Sequence, residues 1–259
     1  MILFYPHKLK GYARIKIICD KGKIPYTFNM DDKFNVIFNN DYAVKRCNGV
    51  LCKLGADYPI INGGCCDVTK SHVDKIFAEV FGYSSIIDPT NSHYYLKKSE
   101  KQGDKSGEVV EDPHKPEEGY IYQKIINNIL GGYRIDYRTH IIGGEIVWVR
   151  EKWKEDIVSP ELIKSRPAND VFMTSEKNKI LDFCQRIGLN FGELDILKDY
   201  SSGKIYIVDV NDMPGVRRDE PKQPGYKEEL NTLLTKFKEY YDYCLKVKDT
   251  RGCHSGCVC

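Results

Sequence analysis

Residues Gly192 to Gly215 read GELDILKDYSSGKIYIVDVNDMPG. Two runs of strand-forming residues flank Ser201-Ser202-Gly203, the composition of a hairpin loop that closes on a left-handed glycine. Taken as a three-residue loop, this turn pairs Tyr200 with Lys204 and sets Asp195 directly opposite Asp209. Glu193 then faces Asn211 on the same side, while Leu194, Ile196, Val208 and Val210 make the other side apolar. Two carboxylates directly across a strand pair repel each other, and burial sharpens the repulsion. The arrangement needs positive charge. A hard divalent cation suits two carboxylates and an amide oxygen, and magnesium combines a few protein oxygens with substrate phosphates. Asp195, Asp209 and Asn211 therefore read as a site for Mg²⁺ (or Mn²⁺) presented to a nucleotide. Protonation of one acid, or pairing of both with arginine and lysine, answers the same problem without a metal.

Working outward, a second hairpin is written in YRIDYRTHII-GG-EIVWVREKW, with Gly143-Gly144 as its turn. A two-residue turn puts Arg150 on the face opposite Arg138, and only a bulged loop aligns them. Thr69 to Gly82 reads as a helix, with Thr69 or Ser71 as cap and Val73, Ile76, Phe77 and Val80 as its stripe. Ser175 to Gly188 reads as another, with its stripe at Ile180, Leu181, Cys184 and Ile187. An amphipathic helix runs from about Lys227 to Lys248, and Tyr120 to Ile126 is an apolar strand. Upstream, ARIKIIC and FNVIF read as short strands. Lys97 to Gly119 is polar, and a second polar loop extends to about Val171. Hairpins alternating with helices predict an α+β architecture.

The chain of 259 residues is 41% hydrophobic and 29% charged with a net charge of +2, which suits a soluble protein and argues against binding nucleic acid by charge. No apolar run is long enough for a bilayer and the N-terminus lacks the pattern of a secretory signal, so a cytoplasmic location is expected, with no membrane partner. Cys19, Cys47, Cys52, Cys65, Cys66, Cys184 and Cys244 are scattered, as reduced buried thiols would be. His93, His114 and His140 read as lone surface or loop histidines. No Ser-His-Asp or Cys-His spacing and no GxxxxGK[ST] phosphate loop is present.

With those residues in view, the region from about Asn62 to Gly215 resembles the ATP-grasp superfamily, nearest to the peptide-ligase branch that includes ribosomal-protein glutamate ligases. The resemblance implies two α+β subdomains gripping ATP between antiparallel sheets, with Asp195, Asp209 and Asn211 on the family's metal positions. It implies a small subdomain with a phosphate loop over 67–126 and a metal-bearing subdomain over 127–250, while the N-terminal region over 1–66 is compact for the family's usual N-terminal domain and matches no part of it. Tyr122-Gln123-Lys124-Ile125-Ile126 is similar to the hinge strand whose backbone reads adenine. Lys98, or its neighbour Lys97, matches the lysine that reaches the phosphates, and Lys70, just after Asp67, resembles an earlier nucleotide lysine. The loop 101–107 resembles the glycine-rich phosphate cover. Arg138, in Asp136-Tyr137-Arg138, is implied to contact phosphate or the acyl acceptor, with Arg150 as its companion. Asn127-Asn128 follow the hinge where an acidic ribose contact is common, a departure from the pattern.

The implied chemistry is ATP-dependent ligation of a carboxylate to an amine or thiol through an acylphosphate, with a peptide among the candidate substrates. A small-molecule kinase and a non-catalytic nucleotide-binding module are the alternatives. The tail over 251–259 carries Cys253, His254, Cys257 and Cys259, open to metal, lipid or disulfide chemistry or to none.

Overall fold

A computed structural model describes residues 1–6, 8–40, 53, 57–65, 67–100, 107–155, 162–216 and 220–248. The phosphate-cover loop over 101–106, the tail over 251–259, and Cys47, Cys52 and Cys66 lie outside the described residues.

The chain opens with β1 (Ile2–Tyr5), α1 (Arg14–Gly22), β2 (Tyr26–Thr27), β3 (Val36–Asn39) and β4 (Ile60–Ile61), whose strands form a parallel sheet in the order β2-β1-β3-β4. The segment ARIKIIC, expected as a strand, is most of α1. Its isoleucines favour strands, but Ile15, Ile18 and Cys19 fall at helical spacing and are buried, and packing overrides propensity.

The helix α2 (Lys70–Phe81) forms as expected, with Thr69 accepting from the His72 N–H (3.4 Å) and Gly82 left-handed at its end. A three-stranded antiparallel sheet follows, β6-β5-β7, from β5 (Tyr95–Ser99), β6 (Gly107–Val110) and β7 (Tyr120–Lys124). Part of the polar stretch expected as loop is thus strand. β6 is an exposed edge, and such strands carry no apolar alternation to read.

The largest sheet has six strands: β8 (Ile129–Leu130), β9 (Tyr133–Ile142), β10 (Glu145–Lys154), β11 (Leu162–Arg166), β12 (Phe191–Lys198) and β13 (Ile205–Asn211). Its order is β11-β10-β9-β12-β13, with β8 on β9, and every pairing is antiparallel. β11 corrects the second expected loop. Against one face pack α2 and α3 (Thr174–Ile187), burying Phe77, Ile180, Phe183, Leu194 and Ile196 together. Phe183, not Leu181, completes the α3 stripe. Against one end of the other face pack α1 and α4 (Tyr226–Lys248), around Trp148, Phe191 and Phe237.

Each long hairpin is re-registered by one residue. In β9–β10 the Gly143-Gly144 turn (φ 60° and 81°) pairs Glu145 with Ile142, but Val147 is extra, so Trp148 meets His140 and Arg150 lies opposite Arg138. In β12–β13 Asp199, not Tyr200, pairs with Lys204, so the loop has four residues. Left alone, that turn would put Asp195 out of line with Asp209. Val208 is the extra residue that restores the pair, because Ile196 faces Ile207 while Asp195 faces Asp209. A bulge shifts which side chains share a face, and here both bulges gather charge on one side of the sheet.

The parallel sheet is clipped to this hairpin. Asn62, fully buried and left-handed (φ 58°), accepts from the N–H groups of Asn190 and Phe191 (2.8 Å each) and donates to the Phe191 carbonyl (2.7 Å). The Pro-Gly stop has a partner too: Arg14 N–H donates to the Pro214 carbonyl and Val216 N–H to that of Tyr12, each at 2.8 Å. Cys19, Cys65, Cys184 and Cys244 are buried. Among the described residues no helix is long and apolar enough to cross a membrane.

Candidate active site

The charged face of the large sheet has two zones. At the inner one, His140, Arg150 and Glu193 are all but fully buried and meet Arg14 of α1, Glu229 of α4 and Glu220. Arg14 stands 3.0 Å from Glu193, 3.1 Å from Glu220 and 3.3 Å from Glu229. Arg150 holds Glu229 at 2.6 Å and Glu220 at 2.9 Å. His140 lies between Glu193 and Glu229, one ring nitrogen 3.2 Å from each. Burial opposes ionisation of both acids, but the surrounding cations overcome it. Glu193 is held below its ordinary range by Arg14, His140, Arg138 and Arg150, and Glu229 is brought down to about 2 by His140 and Arg150. His140 is therefore a core residue, contrary to its reading as a surface or loop histidine.

The outer zone is open on one side. Arg138 grips Asp195 with two parallel bonds, Nε to Oδ1 at 2.9 Å and Nη2 to Oδ2 at 3.1 Å, a geometry that a guanidinium fork suits. Lys152 reaches Asp195 at 4.0 Å. Burial alone would raise the Asp195 carboxyl, yet Arg138 and the two lysines beyond it hold it below the ordinary value. Directly opposite, Asp209 makes no ion pair within 4 Å among the described residues, and burial together with Asp195 pushes its carboxyl up. Asn211 sits opposite Glu193 and accepts from the Met213 N–H at 3.3 Å, which fixes its amide at the hairpin mouth.

From the small sheet, Lys98 comes within electrostatic reach of these acids. Burial and then Lys70 lower its ammonium, while Asp209, Asp136 and Asp195 act to raise it. Lys97 points the other way, to Glu117 and the Tyr120 ring, so the alternation of β5 selects Lys98. Lys70 at the start of α2 donates to the Ser99 carbonyl at 2.8 Å. Along β7, Gln123 is buried and bonds Ser85 Oγ (3.1 Å), Lys124 bonds the Tyr206 hydroxyl and lies 4.1 Å over its ring, Ile125 is half-buried and Ile126 buried. Exposed Asn127 bonds Ser201 (2.7 Å), and buried Asn128 bonds Asp136 (2.9 Å). They tie the hinge to the large sheet.

The described residues gather no trio of His, Cys, Asp and Glu disposed to hold a metal. The oxygen donors at the hairpin mouth are two carboxylates and an amide. Asp209, half-buried with no cation at ion-pair distance among the described residues, fits a divalent ion, whereas Asp195 has both oxygens on Arg138. Sequence reading placed Arg14, Glu220 and Glu229 nowhere near this site. No short motif links them, since Arg14 lies more than 200 residues from Glu220 and Glu229 and meets them only in the fold.

No family model and no curated sequence matches the chain. Its fold, however, matches solved structures. A D-alanine–D-alanine ligase from Bacillus anthracis complexed with ATP superposes with a TM-score of 0.56 at 14% identity, covering 96% of this chain and 97% of that one. The macrocyclase MdnC from Microcystis aeruginosa, bound with precursor peptide MdnA, gives 0.56 at 10% identity over 92% and 99%. The ATP-grasp ligase PsnB, complexed with a precursor variant, Mg and ADP, gives 0.50 at 14% identity, covering 72% of this chain and 66% of that one. The chain thus spans just under two thirds of the PsnB chain. At these identities the likeness shows the fold alone: with its small antiparallel sheet and acid-bearing hairpin, this chain has the ATP-grasp fold.

Proposed function

We propose that the chain is an ATP-dependent, Mg²⁺-dependent ligase that activates a carboxylate as an acylphosphate and joins it to an amine or thiol. One observation carries this reading: Lys98 of the small sheet lies within electrostatic reach of the acid pair Asp195 and Asp209 of the large one, and of Asp136 beside them. The two sheets thereby present positive and negative groups to one space, as a polyphosphate with its metal requires. The relatives whose structures hold ATP, ADP with Mg, or precursor peptides support ATP, a divalent metal and a peptide-borne carboxylate as ligands. A cytoplasmic setting agrees with free access to ATP.

In this mechanism Lys70 and Lys98 hold the phosphates, each as a compact charge. Asp195, Asp209 and Asn211 would hold the metal, which when bound neutralises charge on the transferring phosphoryl group. The backbone of Gln123 to Ile126 lines the adenine side. Arg138, at the boundary of the two zones, faces the reacting carboxylate and stabilises the anionic transition state. Arg150, saturated by Glu220 and Glu229 and almost fully buried, anchors the sheet beneath Arg138 and does not touch the reactants.

A second reading, a nucleotide-binding module without turnover, draws on the Arg138–Asp195 pair, which already neutralises one acid. An ADP-release screen over carboxylates, each with and without amines and thiols, separates the cases. Release that needs both partners supports the ligase. Release on hydroxyl compounds alone supports a kinase, and nucleotide binding without release supports the module.

A further inference from the structure

The proposed metal role requires Asp195 to leave Arg138, yet a guanidinium set free inside a half-buried site is costly without a new acceptor. That acceptor is already in reach. Glu193 lies two residues before Asp195 on the same face of β12, and its Oε2 is 3.5 Å from Arg138 Nε, against 2.9 Å for Asp195 Oδ1. Both Glu193 oxygens are buried and lack a well-directed hydrogen bond, although Arg14 and His140 stand within 3.0–3.2 Å. Glu193 thus has an unfilled acceptor valence, and Arg14 and His140 hold it in place beside the fork. A cation arriving between Asp195 and Asp209 would also repel the guanidinium beside it.

Resting on the metal reading above, we propose that Glu193 is a positioning residue that receives Arg138 when a divalent ion and nucleotide load, so that Asp195 is released to the ion by a guanidinium hand-over. No bond order changes and no proton moves. One ion pair is exchanged for another, and the hand-over makes metal affinity depend on a carboxylate that does not touch the metal.

The test is Mn²⁺ binding to the full chain in the presence of ADP, read as loss of the free-ion signal by electron paramagnetic resonance. Glu193→Asp keeps the charge but withdraws the carboxylate from Arg138, and it is expected to weaken Mn²⁺ binding about tenfold, the scale set by outer-shell partners. Arg138→Met removes the clamp from Asp195 and is expected to tighten binding by a similar factor. In the Arg138→Met background, Glu193→Asp should have no further effect. Equal losses from Glu193→Asp in both backgrounds mark a merely structural role and overturn the hand-over. Unchanged or weaker binding by Arg138→Met overturns it as well, and this arm stands even where Glu193→Asp fails to fold. Absence of Mn²⁺ binding by the wild-type chain sinks the metal reading itself, and the hand-over with it.

Discussion

Glu193 and Asp195 share one face of β12, two residues apart, and live in opposite circumstances. Glu193 is enclosed by cations brought by α1, β9 and β10, whereas Asp195 has a single strong partner and faces Asp209, which has none at ion-pair distance among the described residues. The inner zone is a closed ionic cluster that fixes geometry. The outer zone leaves charge incompletely compensated, and an uncompensated acid is poised for a ligand. The same alternation produces both. What separates them is coverage: α1 and α4 roof the inner zone and stop short of the outer one.

The sharpest way to break this contrast is to neutralise the uncompensated acid. Asp209→Asn should cut ADP release by at least about a hundredfold, while the thermal midpoint stays level or rises, because a carboxylate pushed up by burial and by Asp195 is removed. Full turnover in this variant would detach Asp209 from the chemistry. The same logic reversed applies at Arg14. Arg14→Met takes one buried cation from the cluster of Glu193, Glu220 and Glu229 and should lower stability by roughly 3–5 kcal/mol in urea unfolding. A loss under about 1 kcal/mol would show the cluster to be wetter than its burial implies.

Acid should dismantle the inner zone in a defined window. A carboxyl whose folded pKa lies below its unfolded value stabilises the fold above the unfolded value, near ~4.3, and that stability is lost as pH falls toward the folded one. With Glu229 held at about 2, unfolding free energy should be level above pH ~5 and fall between ~4.5 and ~2. Glu229→Gln should flatten that slope, and a slope that persists unchanged would assign it to other acids. The contact where the parallel sheet docks is probed more gently by Gly188→Ala. Its Cβ would come within 2.2 Å of the Gly64 backbone at φ +74°, so a loss of about 1–3 kcal/mol is expected. At the surface, Lys236→Ala breaks pairs with Glu145 and Glu239 that solvent screens, and its effect in the same assay should stay under about 1 kcal/mol.

Much of this was legible locally. Thr69 and Gly82 bracket α2, Gly188 ends α3, and the Gly143-Gly144 turn is where its dipeptide says. The facing of Asp195 and Asp209 was also reached from sequence, by a three-residue turn that the structure replaces with a four-residue turn and a bulge. Those two departures cancel at the acid pair and not at Tyr200. What stayed hidden were β6 and β11, polar edge strands defined by their neighbours, and α1, whose isoleucines mimic a strand.

By itself the sequence determined the alternation of acids and valines in the hairpin, the caps and turns, and the paired lysines of which one must face inward. These depend on neighbours a few residues apart. Only the tertiary structure decided that Lys98 comes within reach of the acids, that Val147 and Val208 shift the faces, and that Arg14, Glu220 and Glu229 close round Glu193. The reason is physical: a buried ion pair is specified by which distant side chains arrive to compensate it, and nothing local in the chain encodes that meeting.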